Sequence, residues 1–173
     1  MPESDARNAE AYTQVSFFNR LGDAIRSRRE EIRLGSRPGI RKDALSDVPL
    51  VAIVDDDGPV RVTTDSFVRS LGYIVRTFSC AEELLRSSHL DEIACVIADV
   101  QMPGMNGVEL QAHLRSKGSD LPFIFFTAFP DGRTRARALR AGAICYLTKP
   151  FDGDKLAAAL RDVLKKQGGK ART

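Results

Sequence analysis

Residues 50–57 read LVAIVDDD, five apolar residues closed by three carboxylates. The run is too short for a helix and has no polar face, which suits a strand buried on both sides of a sheet. Working outward, similar runs return at 73–77 (YIVRT), 94–98 (ACVIA), 123–127 (FIFFT) and 144–147 (ICYL). Segments with helical character follow them at 60–71, 81–87, 107–117, 134–141 and 154–166. Five strand–helix repeats predict an α/β domain, a doubly wound five-stranded parallel sheet of (βα)5 type. Right-handed crossovers leave 2-1-3-4-5 as the natural strand order. In that order a ligand sits beyond the carboxyl ends of strands one and three, where the winding reverses.

That place is acidic. Asp55, Asp56 and Asp57 close the first strand, and Asp99 closes the third. At least three carboxylates are expected to converge, and their repulsion is costly unless a cation relieves it. Oxygen ligands with positions left open to water suit Mg²⁺. The fourth strand ends in Thr127 and the fifth is followed by Lys149-Pro150, adding a hydroxyl and an ammonium. Acids, a divalent cation, a hydroxyl and a lysine around one carboxylate suit phosphoryl transfer to that carboxylate.

The strings IVDDD (53–57), DVQMPGMNG (99–107), FFTA (125–128) and YLTKPF (146–151) stand in this order at the ends of the expected strands. Together they resemble the receiver domain of two-component response regulators, over about residues 49–166. The resemblance implies the flavodoxin-like fold and Asp99 as phosphoacceptor. It implies Asp56 as a direct metal ligand, Asp55 as a water-mediated one, and Asp99 and the backbone carbonyl of Gln101 as the remaining protein ligands of Mg²⁺. Thr127 and Lys149 are then the pair that contacts the phosphoryl group. Tyr146 is the aromatic that turns inward when Thr127 engages, and the Lys149–Pro150 bond is expected to be cis, aiming the lysine at the site. Relatives often cap the second helix with a serine where Cys80 stands, so Ser79 is expected to take over or the helix end to fray. Such a protein is not an enzyme in the usual sense. It catalyses only its own Mg²⁺-dependent phosphorylation and dephosphorylation.

The implied partners are a sensor histidine kinase or a histidine phosphotransfer protein as donor, and an output protein on the face of helix four, strand five and helix five. Arg133, Arg135, Arg137 and Arg140 lie on or near helix four and are candidate docking residues there. The resemblance further implies that the positions two after the acceptor and two after the threonine flank the approach of a hydrolytic water. They are Gln101 and Phe129, and a ring over the site is expected to slow loss of the phosphoryl group.

Residues 1–48 have another character. Between 20 and 42, eight basic residues face three acids, a local charge of +5 against +3 for the whole chain. Val15, Phe18, Leu21, Ile25 and Ile32 recur at helical spacing within 10–32 and predict an amphipathic helix, and residues 34–49 read as a linker. The stripe is expected to pack on the receiver or to join two chains as a homodimer. The expected division is an extension over 1–48, partly helical or disordered, a receiver over 49–167 and a disordered tail over 168–173. The last nine residues, KKQGGKART, follow the fifth helix directly, so a stand-alone receiver is expected.

Other function classes fit less well. A phosphorelay intermediate and a DNA-associated regulator acting through the basic arm remain as alternatives. Only one helix is expected in the arm, however, short of a helix-turn-helix reader, so nucleic acid is not an expected partner. An aspartyl phosphatase is disfavoured because no DxDxT string occurs. Three cysteines (Cys80, Cys95, Cys145), none in a CxxC, argue against zinc and a disulfide framework, and His89 and His113 read as surface residues. No apolar run reaches the ~18 residues of a membrane span, and residues 1–12 lack a signal core, so a cytoplasmic protein is expected.

Overall fold

The computed structural model describes residues 48–168. The expected helix over 10–32 and its apolar stripe lie outside the described residues. Among these, the elements run β1 (Leu50–Val54), α1 (Gly58–Ser70), β2 (Ile74–Phe78), α2 (Ala81–Leu85), β3 (Ile93–Asp99), α3 (Gly107–Ser116), β4 (Phe123–Thr127), α4 (Gly132–Arg140), β5 (Cys145–Thr148) and α5 (Gly153–Gly168). A short 3₁₀ turn, Leu90–Glu92, leads into β3. All strand pairs are parallel, in the order β2-β1-β3-β4-β5. The doubly wound, flavodoxin-like sheet expected from the sequence is therefore present. No helix among the described residues is long and apolar enough to cross a membrane.

The three central strands earn their place by composition. β1 and β4 are buried at every residue, as is β3 except at Ala94. Alternate side chains serve opposite faces. One face carries Ala52, Val54, Val96, Ala98, Phe123 and Phe125 against Ala81, Leu84, Leu110, Leu114 and Ala138 of α2, α3 and α4. On the other face Phe126 stacks on Phe151 at 4.4 Å, and Phe151 meets Phe67 of α1 at 6.1 Å. Each such fully buried side chain contributes roughly 1.5–3 kcal/mol. On the edge strand β2 only Val75 and Phe78 are buried, and Ile74, Arg76 and Thr77 are exposed.

Several element ends differ from the sequence reading. α1 begins at Gly58 rather than residue 60, because Asp57 caps it and Pro59 fits the first turn, where no N–H is needed. α2 stops at Leu85, short of residue 87. Its N-cap, Cys80, makes no side-chain cap bond. Instead the N–H and hydroxyl of Ser79 both donate to Glu83 Oε2, at 2.7 and 3.0 Å. Ser79 is thus tied to the first turn of α2 as a donor, and the expected serine cap, which would accept a free helix N–H, is not formed among the described residues. α4 starts at Gly132 behind Asp131, whose carboxylate accepts from Thr134 N–H at 2.8 Å. α5 extends through Gly168, one residue into the expected tail.

Candidate functional site

The register places the site. Val54 pairs with Phe78 and Ala98, Asp99 with Phe126, and Thr127 with Thr148. Asp55, Asp99, Thr127 and Lys149 therefore emerge side by side at the carboxyl edge of the sheet. Backbone bonds hold this edge: Val100 N–H to Phe126 O at 2.8 Å, and Lys149 N–H to Thr127 O at 2.7 Å. The β3–α3 loop folds back sharply, with Gly107 N–H on Val100 O. A Cβ at Gly107 would run into the carbonyl of Asp99, so only glycine fits there. Asn106 and Glu109 cap α3 reciprocally, and Glu82 accepts the N–H of Met105 at 3.2 Å, which pins the loop from α2.

Lys149 Nζ bridges two buried carboxylates, Asp99 Oδ2 at 2.6 Å and Asp55 Oδ2 at 2.8 Å. The Lys149–Pro150 bond is cis, as expected. The other oxygens of the two acids accept backbone N–H groups: Asp99 Oδ1 from Gln101 at 3.0 Å and Asp55 Oδ1 from Asp57 at 2.9 Å. Asp56 is exposed, yet one carboxylate oxygen from each of Asp55, Asp56 and Asp99 lies within 4.8 Å of the others. Desolvation pushes the Asp55 carboxyl above its ordinary range despite the bond and charge of Lys149, and the charge of Asp99 adds to the rise. Burial alone would lower Lys149. The bonds and charges of Asp55 and Asp99 outweigh it and hold the ammonium above its usual range. The carboxylates thus carry more negative charge than one lysine compensates. All-oxygen donors with one exposed member fit a hard divalent cation that keeps some of its water.

Thr127 is fully buried at the end of β4. Its hydroxyl is turned to its own loop, donating to Phe129 O and accepting from Phe129 N–H, both at 3.1 Å. Tyr146 is half-buried with its ring 6.4 Å from that of Phe125, and burial raises its phenol above the ordinary range. Gln101 is exposed and touches the site through its backbone. Phe129 departs from expectation: its side chain is 71% exposed, so the ring stands in solvent rather than packed over Asp99.

Two contributors were missed in the sequence. Arg61 donates from Nη1 to the Asp55 carbonyl at 2.6 Å, bracing the end of β1 from one helical turn along α1. Asp57, read with the acidic group, is spent on the α1 cap. An aspartate followed by Gly-Pro was a legible cap signal. Cys95 is wholly buried, and desolvation pushes its thiol up to about 12, while Cys80 and Cys145 are half-buried.

Comparison with known proteins agrees with this geometry. Residues 51–161 match the family described as the response regulator receiver domain. The response regulator protein TodT of Pseudomonas putida is 37% identical over 116 residues, covering 67% of this chain and 51% of TodT. The transcriptional regulatory protein FixJ of Bradyrhizobium diazoefficiens is 30% identical over 115 residues, 66% of this chain and 56% of FixJ. Among solved structures, the response regulator StyR superposes with a TM-score of 0.67 at 37% identity, covering 72% of this chain and 63% of that one. The chain spans about half the length of the curated relatives it matches. With the fold, the order of the strands and the family match in agreement, the chain belongs to the response regulator receiver domain family of two-component systems.

Proposed function

We propose that Asp99 accepts a phosphoryl group from the phosphohistidine of a sensor histidine kinase or phosphotransfer protein. The observation that carries this is the Lys149 ammonium lying between Asp99 and Asp55 at 2.6 and 2.8 Å, with an Asp56 oxygen in the same cluster. An Asp99 oxygen attacks phosphorus, the P–N bond of the donor breaks, and the freed imidazole leaves and takes up a proton. Lys149 then pairs with a phosphoryl oxygen in place of the carboxylate oxygen it now holds. Thr127 exchanges its bonds to Phe129 for a bond from its hydroxyl to the phosphoryl group, and Tyr146 follows inward as the regulatory read-out.

Asp55, Asp56, Asp99 and the carbonyl of Gln101 are the residues that would hold Mg²⁺, which when bound neutralises charge developing on the transferring group. Their oxygen-only composition and excess negative charge support that assignment. The chain's own residues supply positioning: backbone N–H groups of Gln101 and Asp57 aim the two buried carboxylates, and Arg61 braces the strand end.

Within this reading residues 49–167 are the receiver and 1–48 a basic N-terminal extension. The protein works in the cytoplasm, where kinases of this class present phosphohistidine, and signals through protein contacts on α4, β5 and α5. The test is labelling by acetyl phosphate with Mg²⁺. The wild type takes up one phosphoryl group and Asp99→Asn takes up none. Undiminished labelling of Asp99→Asn moves the acceptor elsewhere.

A further inference from the structure

A groove of about 500 Å³ opens beside the site, between the β3–α3 loop and α4. Val100, Met102 and Val108 give it an apolar floor, and Gln101 and Arg137 stand among its polar lining residues. Arg137 belongs to a stripe. Arg133, Arg137 and Arg140, spaced by four and three residues, share one side of α4 and are all exposed. Arg135 and Leu139, also exposed, lie off that side of the helix. None of the three stripe arginines has an ion pair among the described residues. Asp131 and Glu109 are committed to helix caps: Asp131 accepts from Thr134, and Glu109 accepts the N–H of Asn106.

Resting on the receiver reading above, we infer that this groove docks an acidic, leucine-bearing segment of a partner protein, with carboxylates on the arginine stripe and an apolar side chain on the Val100–Met102–Val108 floor. Charge decides against the basic stretch 20–42 of this chain, whose local charge of +5 repels the stripe. The apolar floor decides against nucleic acid, because a phosphodiester backbone leaves it unfilled. The stripe is also short, eight residues from Arg133 to Arg140 or about 10 Å of helix. The groove is wired to the acceptor, since Gln101 in its wall donates its N–H to Asp99 Oδ1 at 3.0 Å. Any change at Asp99 that moves Gln101 reshapes the groove, and by linkage an occupant of the groove alters the state of Asp99.

The experiment uses the full chain and fluorescence anisotropy. The probe is a fluorescein-labelled twelve-residue peptide with glutamates at helical positions i, i+4 and i+7 and leucines on the adjoining flank. Comparison probes are the same peptide with serines for leucines and a twenty-base-pair DNA duplex. The wild type binds the leucine peptide in a salt-sensitive manner, and phosphorylation with acetyl phosphate changes that affinity at least three-fold. Arg137→Glu weakens binding at least ten-fold, Arg137→Lys by much less, and the serine peptide binds at least five-fold more weakly than the leucine peptide. Labelling of Asp99 is measured on the same samples and stays intact in Arg137→Glu. Equal binding by Arg137→Glu, equal binding of the serine peptide, tighter binding of the duplex, or no binding by the wild type overturns the docking site. A wild type that binds the peptide but takes no label at Asp99 overturns the receiver reading, and with it the coupling. A labelled wild type that ignores the peptide overturns the groove alone.

Discussion

Lys149 Nζ sits 2.6 Å from Asp99 Oδ2 and, through its second bond to Asp55, serves as the internal counter-ion of the acidic site. Removing it strands two buried carboxylates. Loss of one partner from a buried ion cluster costs roughly 3–5 kcal/mol. Lys149→Met is therefore expected to lower the free energy of unfolding by about 3 kcal/mol at pH 8. The loss shrinks at pH 5.5. The Asp55 carboxyl already lies above its ordinary range through desolvation. Without the lysine it rises further, so the folded state binds the extra proton and stability falls as pH increases through that raised value. Urea titrations at the two pH values check this, and an equal loss at both contradicts it. Added Mg²⁺ is expected to restore part of the deficit.

Asp56 gives the opposite contrast. It is exposed and makes no hydrogen bond among the described residues, yet shares the carboxylate cluster. Asp56→Ala is expected to leave stability in chelator within about 0.5 kcal/mol of wild type. The same change removes a donor from the oxygen set and should weaken Mg²⁺ binding more than ten-fold. Calorimetric titration with Mg²⁺ checks this, and unchanged affinity places the cation away from Asp56.

The Thr127–Phe129 pair bears on the lifetime of the label. The sequence places an aromatic where water must approach, but the ring is 71% exposed and only the Phe129 backbone is held, by the Thr127 hydroxyl. With the ring in solvent, Phe129→Ala is expected to change the rate of label loss from Asp99 less than two-fold. A several-fold acceleration would restore the shielding role. Thr127→Val removes both loop bonds at a cost of about 1 kcal/mol, since water can reach the freed Phe129 groups.

What could be read ahead of the structure follows a physical division. Strand order and the acidic edge were legible because LVAIV, ACVIA and FIFF are apolar throughout, and residues that close such runs must lie at one edge of a parallel sheet. That Lys149 lies beside Asp55 and Asp99, 94 and 50 residues away, followed from that edge, whereas its ion pairs with both did not. Contacts made by long polar side chains were not legible. Arg61 reaching the Asp55 carbonyl and Glu83 reaching Ser79 depend on rotamers that no spacing rule specifies. The direction of the Phe129 ring is a loop property of the same kind. The groove beside α4 needed the positions of two elements that are neighbours only in space.

Gln111 shows where a polar side chain is held at a loss. It is wholly buried on α3, and its Nε2 donates to Ala141 O at 3.2 Å, while its Oε1 has no partner among the described residues. Arg115 Nε donates to the same carbonyl at 3.3 Å, so the end of α4 keeps a donor if Gln111 is replaced. An orphaned buried acceptor costs about 1–3 kcal/mol, whereas the shared hydrogen bond contributes only about 1 kcal/mol. Methionine has a similar volume and no oxygen to desolvate, and flexible thioethers fill irregular space well. Gln111→Met is thus expected to leave stability unchanged or to raise it by about 1 kcal/mol, read as a higher urea midpoint with the same slope. A loss above about 2 kcal/mol would mean that the amide carries a bond whose partner is a buried water, and that α4 is anchored through that water as well as through Arg115.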